Sequence, residues 1–187
     1  IPDIMVTNQV VGARKLSRLA ALARIAQVSI CVDDPAQVAA IEAAAAVAGV
    51  RIPVLVEIDV GGARCGVQAG PAAVALAEVI AASRQLSFGG IQAYHGSAQH
   101  IREPEKRAAA IAGAVEASRR TVEQLRQRGL DCPVVGGAGS GKTLVAAEKA
   151  RRLAAASFEV IISSGDGELY EFRSVTLSAR RFADATR

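Results

Sequence analysis

The residues of this chain best suited to chemistry form a glycine-rich loop, Gly136-Gly137-Ala138-Gly139-Ser140-Gly141-Lys142-Thr143. Glycines let backbone amides approach a phosphate closely, because no Cβ stands in the way. The stretch also satisfies the pattern G-x-x-x-x-G-K-[ST], in which Lys142 would reach the outer phosphates of a nucleotide and Thr143 would hold Mg²⁺. The loop therefore predicts a phosphate site, and both a nucleotide and a phosphorylated cofactor remain open as its ligand.

Other polar residues follow the ends of predicted strands. Short β-branched runs alternate with Ala-rich stretches, which is the pattern of parallel strands joined by crossover helices. The predicted strands are Asp3–Thr7, Val28–Val32, Val54–Val60, Ser87–Tyr94, Cys132–Val135 and Phe158–Ser163. At or just after the first four strand ends stand Asn8, Asp33, Asp34, Asp59 with Arg64, and Tyr94-His95-Gly96-Ser97. Because parallel α/β folds place their chemistry at this end of the strands, we expect these residues to share one rim with the glycine loop.

Two architectures fit the alternation: a doubly wound open sheet and a piece of an eightfold (β/α) barrel, whose full form needs about 250 residues. Polar side chains or glycines follow each of several successive strands, which favours the barrel. In an open sheet the ligand site comes from only a few adjacent loops. We therefore expect an α/β fold, a partial (β/α) TIM-type barrel. Its first helix should bury Leu16 and Leu19, and a later helix over Glu103–Arg128 should begin near Pro104 and stop at Gly129.

Composition limits the classes of protein that remain. The 187 residues are 51% hydrophobic, enough for one domain with a substantial core, and charges interrupt the Ala-rich runs before they reach membrane-span length. The net charge is +4, but the Arg and Lys residues are scattered among Glu residues on helix faces, and aromatic residues are only 3% of the chain. Both features argue against nucleic-acid binding. Cys31, Cys65 and Cys132 form no C-x-x-C pair, so we expect a reduced, cytoplasmic protein. The chain opens on Ile1-Pro2-Asp3, without the charged segment and apolar core of a leader, so we expect its start to be truncated.

Three further segments carry a resemblance to a known family. They are Thr7-Asn8-Gln9-Val10-Val11-Gly12; Val56-Glu57-Ile58-Asp59-Val60-Gly61 followed by Arg64-Cys65-Gly66-Val67; and Gly90-Ile91-Gln92-Ala93-Tyr94-His95-Gly96-Ser97-Ala98-Gln99-His100. With the glycine loop they resemble the pyridoxal-phosphate enzymes of the D-threonine aldolase and 3-hydroxy-D-aspartate aldolase branch, whose barrel is of the alanine racemase type. The resemblance covers about residues 1–141, and the Gln-Ala-Tyr-His-Gly-Ser segment is its most specific part.

The resemblance implies an enzyme, a carbon–carbon lyase. Its reaction would be retro-aldol cleavage of a β-hydroxy-D-amino acid to glycine and an aldehyde, with pyridoxal phosphate as the electron sink and a divalent metal assisting. The resemblance places Arg64 near the phenolic oxygen or ring of the cofactor, and Gln92 and Tyr94 along the ring. The residues that it assigns to the phosphate are Gly136, Gly137, Gly139, Ser140 and Gly141.

The chain also departs from that family. The Schiff-base lysine would lie before Ile1, and the metal ligands would come from a C-terminal domain, so we expect a piece truncated at both ends. Alone it should bind pyridoxal phosphate weakly or not at all and be catalytically silent, so no catalytic residue is assigned. We expect His95 and His100 to be hydrogen-bonded loop residues and assign no metal to them. Unpaired barrel edges would favour a homo-oligomer.

Residues 142–187 keep the nucleotide interpretation open. We divide the chain into a partial barrel over residues 1–141 and a divergent segment over residues 142–187, which begins with a helix over Thr143–Ala156. Strand, glycine loop and helix are the context of a nucleotide-binding loop, and this stretch resembles the start of a helicase-like ATPase. Only 44 residues follow Thr143, however, and Asp166 is a displaced candidate for the acidic strand end. Two simpler alternatives are a glycine loop that binds nothing, and an Arg64 that merely pairs with Glu57 or Asp59.

Overall fold

The computed structural model describes residues 3–137 and two short strands, Val160–Ser163 and Leu169–Phe172. The strands are β1 Asp3–Val6, β2 Gln27–Val32, β3 Ile52–Asp59, β4 Val67–Gln68, β5 Leu86–Gln92, β6 Val134–Gly136, β7 Val160–Ser163 and β8 Leu169–Phe172. The helices are α1 Ala13–Leu22, α2 Pro35–Ala48, α3 Pro71–Ala82 and α4 Pro104–Gln127, with a short 3-10 helix at Gly96–His100. No helix in the described ranges has the length and apolarity needed to cross a membrane.

The order of the strands distinguishes the two predicted architectures. Parallel pairing joins them as β1-β2-β3-β5-β6, and the short β4 lies beside the end of β3. A doubly wound sheet reverses its strand order at a switch point, whereas here the order follows the chain. The helices contact each other in the same sequence, α1 with α2, α2 with α3, and α3 with α4. The sheet is therefore wound in one direction, with one layer of helices, as in a barrel.

The sheet is also strongly curved. Its edge strands β1 and β6 would lie about 19 Å apart if the sheet were flat, since neighbouring strands are about 4.8 Å apart. Yet a Cβ built on Gly136 in β6 would lie only 3.5 Å from Cε of Met5 in β1. A methionine side chain is too short to cross a flat sheet of that width, so the edges have curled toward each other. The prediction of a partial (β/α) barrel is confirmed.

The two faces of the sheet differ in polarity. The helix-facing positions form one apolar core, which includes Val28, Ile30, Val32, Val54, Val56, Ile58, Ile91 and Val135. Side chains alternate along a strand, so the intervening positions point to the concave face. Toward the carboxyl ends of β2, β3 and β5 these positions are Cys31, Glu57 and Gln92, all buried. The barrel interior is therefore polar at the end where the sequence predicts chemistry.

Local signals set the helix bounds. α1 buries Leu16 and Leu19, as predicted. Asp34 begins α2 by accepting a hydrogen bond from the backbone nitrogen of Ala36 at 2.6 Å. Pro104 occupies the first turn of α4, and Gly129, with φ of 72°, directly follows its C-terminal cap. The expected start and stop of this helix are thus confirmed.

The C-terminal strands depart from the expected alternation. The strand predicted over Phe158–Ser163 is present as β7, but β7 pairs antiparallel with β8 in a separate two-stranded sheet and does not extend the parallel sheet. Neither β4 nor β8 was predicted as a strand. The helix expected over Thr143–Ala156 and the boundary placed at Gly141 lie outside the described residues.

Candidate functional site

A buried carboxylate lies at the rim formed by the carboxyl ends of the strands. Glu57 on β3 is only 3% exposed. Nε2 of Gln9, in the loop after β1, donates a hydrogen bond to its Oε2 at 2.5 Å. Burial raises the pKa of Glu57, and the negative charge of Asp33 adds to this effect, while the Gln9 hydrogen bond and the positive charge of Arg64 oppose it. The pair joins the β1 end to β3 across β2.

The loop after β3 carries Arg64, and we call residues 61–66 the arginine loop. Its first half is held by Asp59, whose Oδ1 accepts hydrogen bonds from the backbone nitrogens of residues 61, 62 and 63 at 2.9, 2.9 and 3.1 Å. Its far end is held by Asp33 at the end of β2, whose Oδ2 accepts from the nitrogen of Gly66 at 2.8 Å. Burial would raise the pKa of Asp59, but these backbone N–H groups and nearby His95 leave it lowered. Asp59 therefore stays ionised and holds the loop.

Glycine is required at the end of the arginine loop. Gly66 has φ of 103°, and a Cβ there would lie 2.5 Å from the backbone nitrogen of Asp59. Both the backbone conformation and this contact exclude a side chain. The turn therefore folds tightly back onto the end of β3, which determines where Arg64 stands.

The guanidinium of Arg64 lies over the ring of Tyr94, with Cζ 5.2 Å from the ring centroid. This is the geometry of a cation–π contact. Arg64 is exposed and Tyr94 is half-buried. Among the described residues Arg64 forms no ion pair with Glu57 or Asp59, which were its alternative partners. Arg64 and Tyr94, both predicted to bind the cofactor, are thus in contact.

Gln92 and the first glycine of the glycine loop also meet. Gln92 pairs with Gly136 in the parallel register of β5 and β6, and the nitrogen of Ala93 donates to the oxygen of Gly136 at 2.8 Å. The side chain of Gln92 is 1% exposed, and a Cβ on Gly136 would lie 2.1 Å from its Oε1. Gly136 therefore leaves the space that the Gln92 amide occupies.

The rest of the predicted phosphate site is only partly described. Gly137 directly follows β6. The other predicted phosphate ligands, Gly139, Ser140 and Gly141, lie outside the described residues. So do Lys142 and Thr143 of the nucleotide pattern. The structure thus places the entry to the glycine loop beside Gln92.

The segment after β5 packs on the arginine loop. Oγ of Ser97 donates to the oxygen of Gly61 at 3.2 Å and lies 3.2 Å from Nδ1 of His95. A Cβ on Gly61 would lie 2.9 Å from Nε2 of His95, so the imidazole rests directly on that glycine. His100 contacts Gln99 in the 3-10 helix. Both histidines have hydrogen-bond partners, as expected, but only His95 lies in a loop, since His100 is the last residue of the 3-10 helix.

Cys31 is the buried thiol that lies near Glu57 at the end of β2. Burial, with the charges of Glu57 and Asp33, raises the pKa of the Cys31 thiol to about 12. Cys31 therefore stays a protonated thiol, and only the thiolate is nucleophilic. In the described part of the chain no group of three or more His, Cys, Asp or Glu side chains could hold a metal ion.

Gln9 and Glu57 received no individual role from the sequence, although both lie in motif segments. A signal for Glu57 was available. It is a charged residue inside the otherwise apolar run Val54–Ile58 of a strand covered on both faces. A buried carboxylate needs a hydrogen-bond partner, so its presence there indicates a polar neighbour in the fold. Which neighbour, 48 positions away, depends on how the strands pair.

Replacing Glu57 with glutamine should remove part of the pH dependence of folding stability. The pKa of Glu57 is raised in the folded chain above its ordinary value of 4.5. Its contribution to stability is therefore complete below the unfolded pKa and is lost as pH rises through the raised, folded pKa. The glutamine keeps an acceptor for Gln9 but does not titrate. In denaturant unfolding we expect the free energy of the variant to match that of the wild type near pH 4 and to exceed it near pH 8.

Glu116→Gln on the surface of α4 is the matched control. The hydrogen bond from Arg119 lowers the pKa of Glu116, so its contribution is present above the ordinary value and is lost as pH falls. This variant should gain no stability near pH 8. A Glu57→Gln protein less stable than the wild type at that pH would contradict the assignment of Glu57 as a carboxylate disfavoured by burial.

Comparisons with known proteins agree with this geometry. The family model described as "Alanine racemase, N-terminal domain" matches residues 3–156. A D-threonine aldolase from Arthrobacter sp is 41% identical over 141 residues, which is 75% of this chain and 37% of that protein. A 3-hydroxy-D-aspartate aldolase from Paracoccus denitrificans (strain Pd 1222) is 41% identical over 142 residues, with the same coverage of 75% and 37%.

A solved structure extends the likeness to three dimensions. The crystal structure of D-threonine aldolase from Filomicrobium marinum superposes with a TM-score of 0.75 at 42% identity, over 79% of this chain and 40% of that one. The chain thus spans less than half the length of each of these relatives.

Proposed function

Because the chain belongs to the alanine racemase N-terminal domain family, we propose that it forms the cofactor-binding part of a pyridoxal-phosphate-dependent lyase acting on β-hydroxy-D-amino acids. The observation that carries this proposal is the meeting of Gln92 with Gly136 at the carboxyl ends of β5 and β6. Relatives that are 41% identical are named for aldol chemistry on such amino acids, which supports the substrate class.

The described residues fit pyridoxal phosphate. A phosphate needs amides without side chains in front of them; Gly137 would offer its amide directly after β6, and Gly136 leaves the approach open because it has no Cβ. Gly139, Ser140 and Gly141 would continue the same cradle. An aromatic ring bearing a phenolic oxygen needs a polar wall and a cation, which Gln92 and Arg64 supply at the ends of neighbouring strands.

In this proposal each residue of the chain has a limited task. Arg64 holds positive charge next to the phenolic oxygen, and the bonds to the arginine loop fix the backbone that carries it. Gln92, buried and fixed on β5, orients the ring, and the ring of Tyr94 lies against the guanidinium of Arg64. When bound, pyridoxal phosphate supplies the electron sink for cleavage of the Cα–Cβ bond. The protein contributes orientation and electrostatics.

Further elements of the proposal come from the family resemblance. A divalent cation would assist the reaction, and we assign it no ligand among the described residues. A homo-oligomer would cover the sheet edges at β1 and β6, which bound the described parallel sheet. The three unpaired cysteines support a reducing, cytoplasmic setting.

Calorimetry on the 187-residue chain tests the ligand class. We expect weak, reversible binding of pyridoxal phosphate, with Kd on the order of 10–100 µM, because only reversible contacts to phosphate and ring are proposed. MgATP should give no binding heat at the same concentrations. The opposite outcome, in which MgATP binds and Lys142→Ala abolishes that binding, would favour the nucleotide interpretation of the glycine loop and overturn the proposal.

Circular dichroism in the visible band of the cofactor tests the substrate class. Pyridoxal phosphate held by the chain should acquire an induced signal, because the bound ring lies in a chiral site. Adding D-threonine should change this signal, and L-threonine at equal concentration should change it far less. An equal response to both enantiomers would count against a site built for D-amino acids.

A further inference from the structure

The arginine loop is held from three different strands. Asp33 at the end of β2 accepts the amide of Gly66, and Asp59 on β3 accepts the amides of residues 61, 62 and 63. From the β5 side, Ser97 donates to the oxygen of Gly61 at 3.2 Å. A loop tied at both ends and from three strands does not need Arg64 for its own stability. What these ties leave undetermined is the direction of the long Arg64 side chain.

The ring of Tyr94 supplies that direction. The guanidinium lies over it, with Cζ 5.2 Å from the centroid. The far end of the ring lies close to Gly96, where an added Cβ would stand 2.3 Å from the Tyr94 hydroxyl. Glycine at position 96 therefore lets the phenol lie flat against the backbone beside the 3-10 helix. Tyr94 is half-buried in this position, whereas Arg64 is exposed.

We propose that Tyr94 is a positioning residue, whose ring holds the guanidinium of Arg64 in the orientation that receives the phenolic oxygen of the cofactor. This inference rests on the proposed function. The physical reason is entropic: an exposed arginine samples many rotamers, and binding an anion forces it into one. A side chain already held on an aromatic face loses less freedom when the ligand arrives, so affinity rises without a new contact to the ligand. Tyr94 in this role acts through Arg64 and does not itself recognise the cofactor.

A double-mutant cycle separates positioning from direct contact. Tyr94→Leu removes the aromatic face and should weaken pyridoxal phosphate binding to the 187-residue chain about tenfold, within the range of a partly desolvated cation–π contact. The same substitution in an Arg64→Ala background should change Kd less than about twofold, because the group that it positions is gone. Losses that simply multiply would overturn the proposal and indicate that Tyr94 contacts the cofactor directly.

Two further variants separate the ring from its hydroxyl and its location. Tyr94→Phe keeps the aromatic face and should bind the cofactor with nearly wild-type affinity. Gly96→Ala keeps Tyr94 in the sequence, but the added methyl group should displace its ring. We therefore expect this variant to weaken binding about as much as Tyr94→Leu does. A Tyr94→Phe protein as impaired as Tyr94→Leu would contradict the proposal. Thermal unfolding of each variant verifies that it is folded.

A measurement without cofactor makes the proposal testable even if the proposed function fails. In the NMR spectrum the δ protons of Arg64 should be shifted upfield by the ring current, relative to those of exposed Arg14. Tyr94→Phe should keep that shift and Tyr94→Leu should abolish it. A wild-type chain that binds no pyridoxal phosphate would overturn the proposed function. If neither substitution changes the chemical shift of the Arg64 δ protons, the positioning role of Tyr94 is overturned, whatever the ligand.

Discussion

Replacing Gly90 with alanine is expected to lower the free energy of unfolding by about 3–5 kcal/mol. Gly90 lies on β5 with φ of 126°, and a Cβ there would lie 2.0 Å from the carbonyl oxygen of Val134 on β6. The obstructing atoms belong to the backbone, so no side chain can rotate away. Relief would require β5 and β6 to separate where Gly90 pairs with Val134. The backbone conformation adds strain that no other amino acid avoids.

Gly113→Ala is the matched control for this prediction. Gly113 is exposed on α4, and a Cβ there would meet nothing within 4 Å. Alanine is the better helix former, so this variant should gain about 0.5–1 kcal/mol. Urea unfolding of both variants and the wild type gives the comparison. An unchanged midpoint for Gly90→Ala would show that β5 and β6 do not pair in this register.

Replacing Gly136 with alanine is expected to weaken pyridoxal phosphate binding about 100-fold, or about 2.7 kcal/mol. The new Cβ would lie 2.1 Å from Oε1 of Gln92, whose amide is buried and must leave its position. The change therefore displaces the ring-orienting amide of Gln92 and disturbs the end of β6, where the proposed phosphate cradle begins. Titration of the cofactor by its absorbance or induced circular dichroism measures the loss.

A second substitution tests whether the effect is steric. Gln92→Ala in the Gly136→Ala background removes the side-chain amide that the new methyl group obstructs. The free energy of unfolding should therefore recover relative to Gly136→Ala alone. The affinity for pyridoxal phosphate should stay low, because the Gln92 amide is missing. Gly113→Ala should bind the cofactor as the wild type does. Unimpaired binding by Gly136→Ala would refute the placement of the phosphate at the end of β6.

The residues that the resemblance assigns to the cofactor were named from the sequence, but their contacts were not. Arg64 and Tyr94 stand 30 positions apart in the sequence. The cation–π contact between them depends on the tight turn at Gly66 and on Gly96, which leaves room for the Tyr94 ring close to the backbone. The meeting of Gln92 with Gly136 depends on the register of β5 and β6. Glu57 was visible as a charge in an apolar strand, yet its partner Gln9 emerges only when β1, β2 and β3 are adjacent.

Local patterns of the chain were sufficient for its elements and their class. β-branched runs and Ala-rich stretches predicted five parallel strands and their helices, and Pro104 and Gly129 predicted the bounds of α4, since caps and periodicity act within a few residues. Curvature, register, the bulge opposite Val54 and Leu55, and the antiparallel pairing of β7 with β8 came from the folded chain. These features depend on contacts between segments that are far apart in the sequence, and such contacts leave no local sequence pattern. The composition of the glycine loop predicts a phosphate, whereas only the folded chain shows that its first residue, Gly136, lies beside Gln92 of β5 and Met5 of β1.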